Sequence, residues 1–153
     1  MEPALREIIT GRLDPSRPGG YTWLLELLGP VLGTPLGALT LPGRGRHRLD
    51  EAFHAWQLTT LGDLWGRRWA FPCPDTDPWP IPLLASKPDL NRIHAELTGF
   101  DPARIHDNHA LLPSGDDDDA EEAEWLLGNE LPTFVEGALN SGGELLFLLD
   151  GAK

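Results

Sequence analysis

Asp116-Asp117-Asp118-Asp119-Ala120-Glu121-Glu122-Ala123-Glu124-Trp125-Leu126-Leu127-Gly128 opens the segment 116–150, which carries the chain's densest charge and its clearest helix-turn-strand pattern. Carboxylates suit the first turns of a helix, where unpaired N–H groups carry partial positive charge, so Glu121 to Leu127 is expected to be helical. Asn129 is expected to cap a second helix from Leu131 to Leu139. Asn140-Ser141-Gly142-Gly143 accepts positive φ and lets the chain reverse. Glu144 to Leu149 then reads as a strand buried on both faces, because its apolar residues run without alternation. Helix, turn and strand in this order, with further helices upstream, point to an α+β fold. The expectation is one compact, loop-rich domain over residues 1–153, with several short helices and a small sheet that includes the C-terminal strand.

Outward from that stretch, Leu49 to Leu64 reads as the longest helix. Leu49, Ala52, Phe53, Trp56, Thr60, Leu61 and Leu64 keep helical spacing, and Asp50 and Glu51 lie in the first turn. Leu64 to Phe71 then alternates as a strand would. Five prolines in 72–82 forbid a helix or a central strand there, and Ile81 to Ala85 is expected as an edge strand. Ser86 signals a new helix carrying Leu90, Ile93, His94 and Leu97 on one stripe and ending at Gly99. Asp101-Pro102 reads as an N-cap with proline at the first helical position. Pro3–Leu13 and Tyr21–Leu28 are two further helical patterns near the start. The core candidates are Trp23, Phe53, Trp56, Phe100, Trp125, Phe134 and Phe147.

A chain of 153 residues, 41% hydrophobic, can bury one real core. The single cysteine, Cys73, excludes an internal disulfide framework. The first residues show no basic segment followed by an apolar one, and no apolar run approaches the roughly 20 residues that span a bilayer. A cytoplasmic protein without membrane contact is expected. The formal charge of −12 is concentrated: residues 101–153 hold 13 acids against Arg104 and Lys153. So anionic a region repels phosphate backbones and favours basic partners, and nucleic-acid binding is not expected. Arg44, Arg46 and Arg48, interleaved with glycine, form the one basic cluster, either an exposed loop or a phosphate grip.

Two functional readings follow. In the first, Asp116, Asp117, Asp118, Asp119, Glu121, Glu122 and Glu124 form an acidic surface that binds a basic protein partner, and the domain is non-catalytic and needs no cofactor. In the second, His106, Asp107 and His109 on one helical turn hold a metal ion, with His94 and Asp101 nearby, and support metal-assisted hydrolysis. Cys73 has no adjacent base, and the chain shows no G-x-S-x-G elbow, phosphate loop or zinc-finger spacing, so catalysis has no motif in its favour.

Leu127-Gly128-Asn129-Glu130-Leu131-Pro132, followed by Asn140-Ser141-Gly142-Gly143, resembles the LG-x-x-LP … NGG pattern of SUKH-type bacterial immunity proteins. In that family the pattern lies early and a sheet-rich body follows it, whereas here it spans residues 127–143. The resemblance implies a toxin-neutralising binder, the sharpest form of the first reading.

Overall fold

The structure is a computed structural model that describes residues 33–39, 41, 49–66, 81–108, 111–112 and 117–149. The helices expected over Pro3–Leu13 and Tyr21–Leu28, the arginine cluster, Cys73, Trp79, Trp23, His109 and Asp116 lie outside these residues. The fold is α+β. Helices α1 (Leu49–Ala55), α2 (Thr59–Gly66), α3 (Lys87–Thr98), α4 (Ala103–Asp107), α5 (Asp117–Trp125) and α6 (Leu131–Asn140) accompany strands β1 (Ile81–Ala85) and β2 (Leu145–Leu149). The strands pair as a two-stranded antiparallel sheet. No helix among the described residues is long and apolar enough to cross a membrane.

The contacts divide the chain into two units, one of residues 1–36, 67–84 and 146–151, the other of residues 37–66, 85–145 and 152–153. In the first, the described part is mostly sheet. Buried Leu83 and Phe147 are each followed or preceded by a half-buried leucine, Leu84 and Leu146. In β2 the described side chains Leu145, Leu146 and Phe147 are buried, half-buried and buried in turn, so burial is deeper on one face. Among the described residues β1 pairs with β2 alone, so it has an edge of the kind on which a proline needs no N–H donor.

The second unit holds the helices. The long helix expected over Leu49–Leu64 is in fact a hairpin, α1 and α2, broken at Trp56-Gln57-Leu58. Leu58 N–H donates to the Phe53 carbonyl at 2.8 Å and Gln57 N–H to the His54 carbonyl at 3.0 Å, the paired bonds of a Schellman cap. Gln57 occupies the left-handed position usually given to glycine, at φ 63°, which costs a side-chain-bearing residue roughly 1 kcal/mol. Arg104 from α4 offsets this by donating to Gln57 Oε1 at 2.9 Å and to the Trp56 carbonyl at 3.3 Å. The break lets Phe53 face Trp65 edge-on at 5.5 Å and Trp56 at 6.2 Å, while Trp56 meets Phe100 at 6.4 Å. Residues 64–66, expected to begin a strand, belong to α2, and Trp65 is buried.

The residue ahead of α2 is Leu58, which has no capping side chain. The cap comes from α3 instead: Glu96 accepts from Thr60 N–H at 2.9 Å and from Thr60 Oγ1 at 2.7 Å. A carboxylate there satisfies otherwise unpaired donors and complements the helix dipole. Glu96→Ala is expected to lower stability by about 1–3 kcal/mol, and Glu96→Gln by less, because the amide oxygen still accepts. Urea midpoints with unchanged m-values check this, and equal loss in both variants would show that the hydrogen bonds are not the cause.

His54 clamps the same hairpin. Its ring stands between two acceptors, the Asp50 carbonyl at 2.6 Å from Nδ1 and Asp63 Oδ1 at 2.8 Å from Nε2, so both nitrogens must carry protons. The Asp63 carboxylate foremost, then the Asp50 carbonyl, hold its pKa above the ordinary 6.5 against a smaller opposing effect of burial. A raised value means that the clamp is complete below pH 6.5 and is lost as pH rises through the folded-state value. The ring passes so close to α2 that a methyl group at Gly62 would lie 2.6 Å from it. Gly62→Ala is therefore expected to expel the ring and lose stability on the order of 1 kcal/mol below pH 6.5. In a His54→Ala background the same change is expected to stabilise by about 0.5–1 kcal/mol, the ordinary helix-propensity gain. Chemical denaturation of the four proteins at acid and alkaline pH measures this reversal of sign; strict additivity would show that the ring is not held.

α3 starts where its sequence signals. Ser86 and Asp89 form a reciprocal capping box, Leu90 and Ile93 are buried, and Gly99 closes the helix. Asp101 Oδ1 accepts from Ala103 N–H at 3.0 Å at the start of α4. Downstream, two expected helices form one run. α5 passes through a π turn, Leu126–Glu130, directly into α6, so Asn129 lies inside it and caps nothing. Pro132 supplies the reason: it has no N–H to continue the ladder, and Leu131 N–H reaches five residues back to the Leu126 carbonyl. Gly142, at φ 69°, ends α6 with the Schellman geometry seen at Gln57. Among the core candidates Phe53, Trp56 and Phe147 are buried and Phe100 and Phe134 are half-buried. Trp125 is not core; it is 57% exposed.

Candidate functional site

α5 places most of the acidic run on one ordered surface. Asp117, Asp118, Glu121, Glu122 and Glu124 are exposed, while Ala120 and Ala123 are buried. Asp119, expected on the acidic surface, is only 5% exposed and lies on the buried side of the helix. Helical spacing of three and four sets Asp118, Glu121, Glu122 and Trp125 on the same outward face. The indole is thus bordered by carboxylates. Its neighbours explain why the candidate core residue turned outward: positions three and four before it are Glu122 and Glu121, and its own face is the one that α5 does not bury. That signal was present in the sequence and was outweighed by the usual fate of tryptophan.

Carboxylates at i and i+4, such as Asp118 and Glu122, repel by roughly 0.2–0.5 kcal/mol per pair. An exposed tryptophan among charges has the anatomy of a binding hot spot: a large apolar surface to bury, with a polar rim that steers association.

His109, the second imidazole of the metal reading, lies outside the described residues, so only its companions can be placed. His106 Nε2 lies 3.3 Å from Glu124 Oε2, linking α4 to α5. The His94 side chain, on the α3 stripe, is 43% exposed and stands 3.6 Å from Glu136. Asp101 caps α4, Asp107 is exposed, and no three His, Cys, Asp or Glu side chains among the described residues converge as a metal site.

One feature had no sequence signal. Where α3 ends beside the π turn, Leu97, Phe100, Leu127 and Pro132 wall a groove of about 200 Å3, with His94 and Glu136 along its rim. The backbone of Gly128 lines it too. The proline that creates the π turn therefore also shapes the groove. No family model, curated protein or solved structure matches the chain.

Proposed function

We propose that this chain is a non-catalytic protein-interaction domain whose outward α5 face binds a basic protein, with inhibition of that partner, in the manner of an immunity protein, as its sharpest form. The observation that carries the reading is Trp125, 57% exposed on a helical face otherwise made of carboxylates. A folded helix holds those charges at fixed spacing, so less ordering remains to be done on binding than for a flexible acidic tail. The concentration of negative charge in residues 101–153 supports the choice of a basic partner. The likeness of residues 127–143 to the SUKH-type pattern supports the inhibitory form.

The test is capture from host lysate on the immobilised chain, with Asp118→Asn/Glu121→Gln/Glu122→Gln as comparison. Wild type is expected to retain one basic, near-stoichiometric protein that higher salt releases, and the triple variant to retain it at least about tenfold less. Circular dichroism should match between the two. Equal retention by the folded variant would remove α5 as the site.

A further inference from the structure

We infer that the groove beside the π turn receives an arginine side chain of the basic partner. This inference rests on the proposed reading of the domain as a binder of basic proteins. Three properties of the groove select that occupant. The first is size. About 200 Å3 is below the roughly 300–1,000 Å3 of small-molecule sites, and suits one long side chain. A cofactor or drug-sized ligand would stand mostly outside it.

The second property is shape and polarity along its length. Leu97, Leu127 and Pro132 are apolar, and Phe100 presents an aromatic wall backed by buried Trp56 at 6.4 Å. An aliphatic stem covers such a surface while its head stays polar, and a planar guanidinium stacks on an aromatic ring where an ammonium does so less well.

The third is charge. Glu136, a lining residue, is 61% exposed, and among the described residues His94 Nε2 lies 3.6 Å from its carboxylate. Gly128 lines the groove with backbone alone. A guanidinium offers five donors in a fixed fork that matches a carboxylate. Glu124, Gly128, Pro132 and Glu136 recur every four residues, so carboxylates stand at both ends of the stripe that holds the groove. About 18 Å of helix separates the two glutamates.

The probe is a capped Gly-Arg-Gly peptide, titrated into isotopically labelled full chain and followed by amide chemical shifts, with citrulline and lysine peptides as controls. Citrulline keeps the shape of arginine and removes its charge. Saturable shifts are expected at Leu97, Phe100 and Gly128 with a Kd of about 1–10 mM, several-fold weaker for lysine and absent for citrulline. Glu136→Gln is expected to weaken the arginine peptide about fivefold or more, and Phe100→Leu to weaken it while the fold, read from the remaining shifts, persists. The α5 variant Asp118→Asn/Glu121→Gln/Glu122→Gln should leave these groove shifts in place, so the two sites succeed or fail separately. Equal shifts with citrulline, indifference to Glu136→Gln, or no groove response would each overturn the arginine site, and the last would do so even if α5 variants abolished partner capture.

Discussion

Phe53→Ala is expected to remove about 3–5 kcal/mol of stability, enough to unfold much of a domain whose total is commonly 5–15 kcal/mol. Phe53 is 1% exposed and touches two tryptophans, Trp56 at 6.2 Å and Trp65 edge-on at 5.5 Å. Its removal loses the transfer energy of the ring, opens a cavity against indoles too rigid to collapse into it, and forfeits two aromatic pairs worth about 0.5–1.5 kcal/mol each. Phe53 is also the residue whose carbonyl receives Leu58 N–H in the cap, so the cavity opens where the hairpin reverses. Urea unfolding followed by tryptophan fluorescence measures the loss. A cost under about 1.5 kcal/mol would mean that this cluster is not the centre of the helical unit.

Trp125→Ala should behave in the opposite way. With 57% of the residue exposed, its removal is expected to change stability by no more than about 0.5 kcal/mol. Affinity for the basic protein retained by wild type is expected to fall by about 30-fold or more, the roughly 2 kcal/mol of a tryptophan hot spot. The neighbouring acids should act differently from the indole. Neutralising Asp118, Glu121 and Glu122 is expected to slow association and flatten its salt dependence, whereas loss of the indole accelerates dissociation. Surface plasmon resonance of the two variants separates these effects. If Trp125→Ala instead cost several kcal/mol of stability with affinity intact, the tryptophan would be structural and the acidic face would lose its anchor.

The two tryptophan-rich segments show how far the chain could be read in advance. Trp56 and Trp125 both follow apolar or alanine-bearing helical patterns, and both read as core. One is 1% exposed and the other 57%. The difference lies in which face of each helix meets a neighbour: α1 packs on α2, whereas the outward face of α5 carries Glu121 and Glu122 beside Trp125. The acidic run likewise held as a helix start, yet Asp119 turned inward because a helix cannot present four consecutive residues to one side.

What the sequence alone determined is the set of features whose partners lie within a few residues. The Ser86–Asp89 capping box, the Gly142-Gly143 reversal after α6 and the acidic start of α5 are of this kind. Each is set by hydrogen bonds or dihedral preferences spanning one turn of chain. The remaining features depend on partners far apart in the chain. The α1–α2 hairpin breaks without glycine or proline because Arg104, 47 residues on, holds Gln57, and because Glu96 caps Thr60 across 36 residues. The groove needs Phe100 and the Pro132 π turn to meet in space. Such contacts offset local strain with packing and hydrogen bonds that no short window of sequence contains, and it is they that set where the hairpin turns and what its surface can bind.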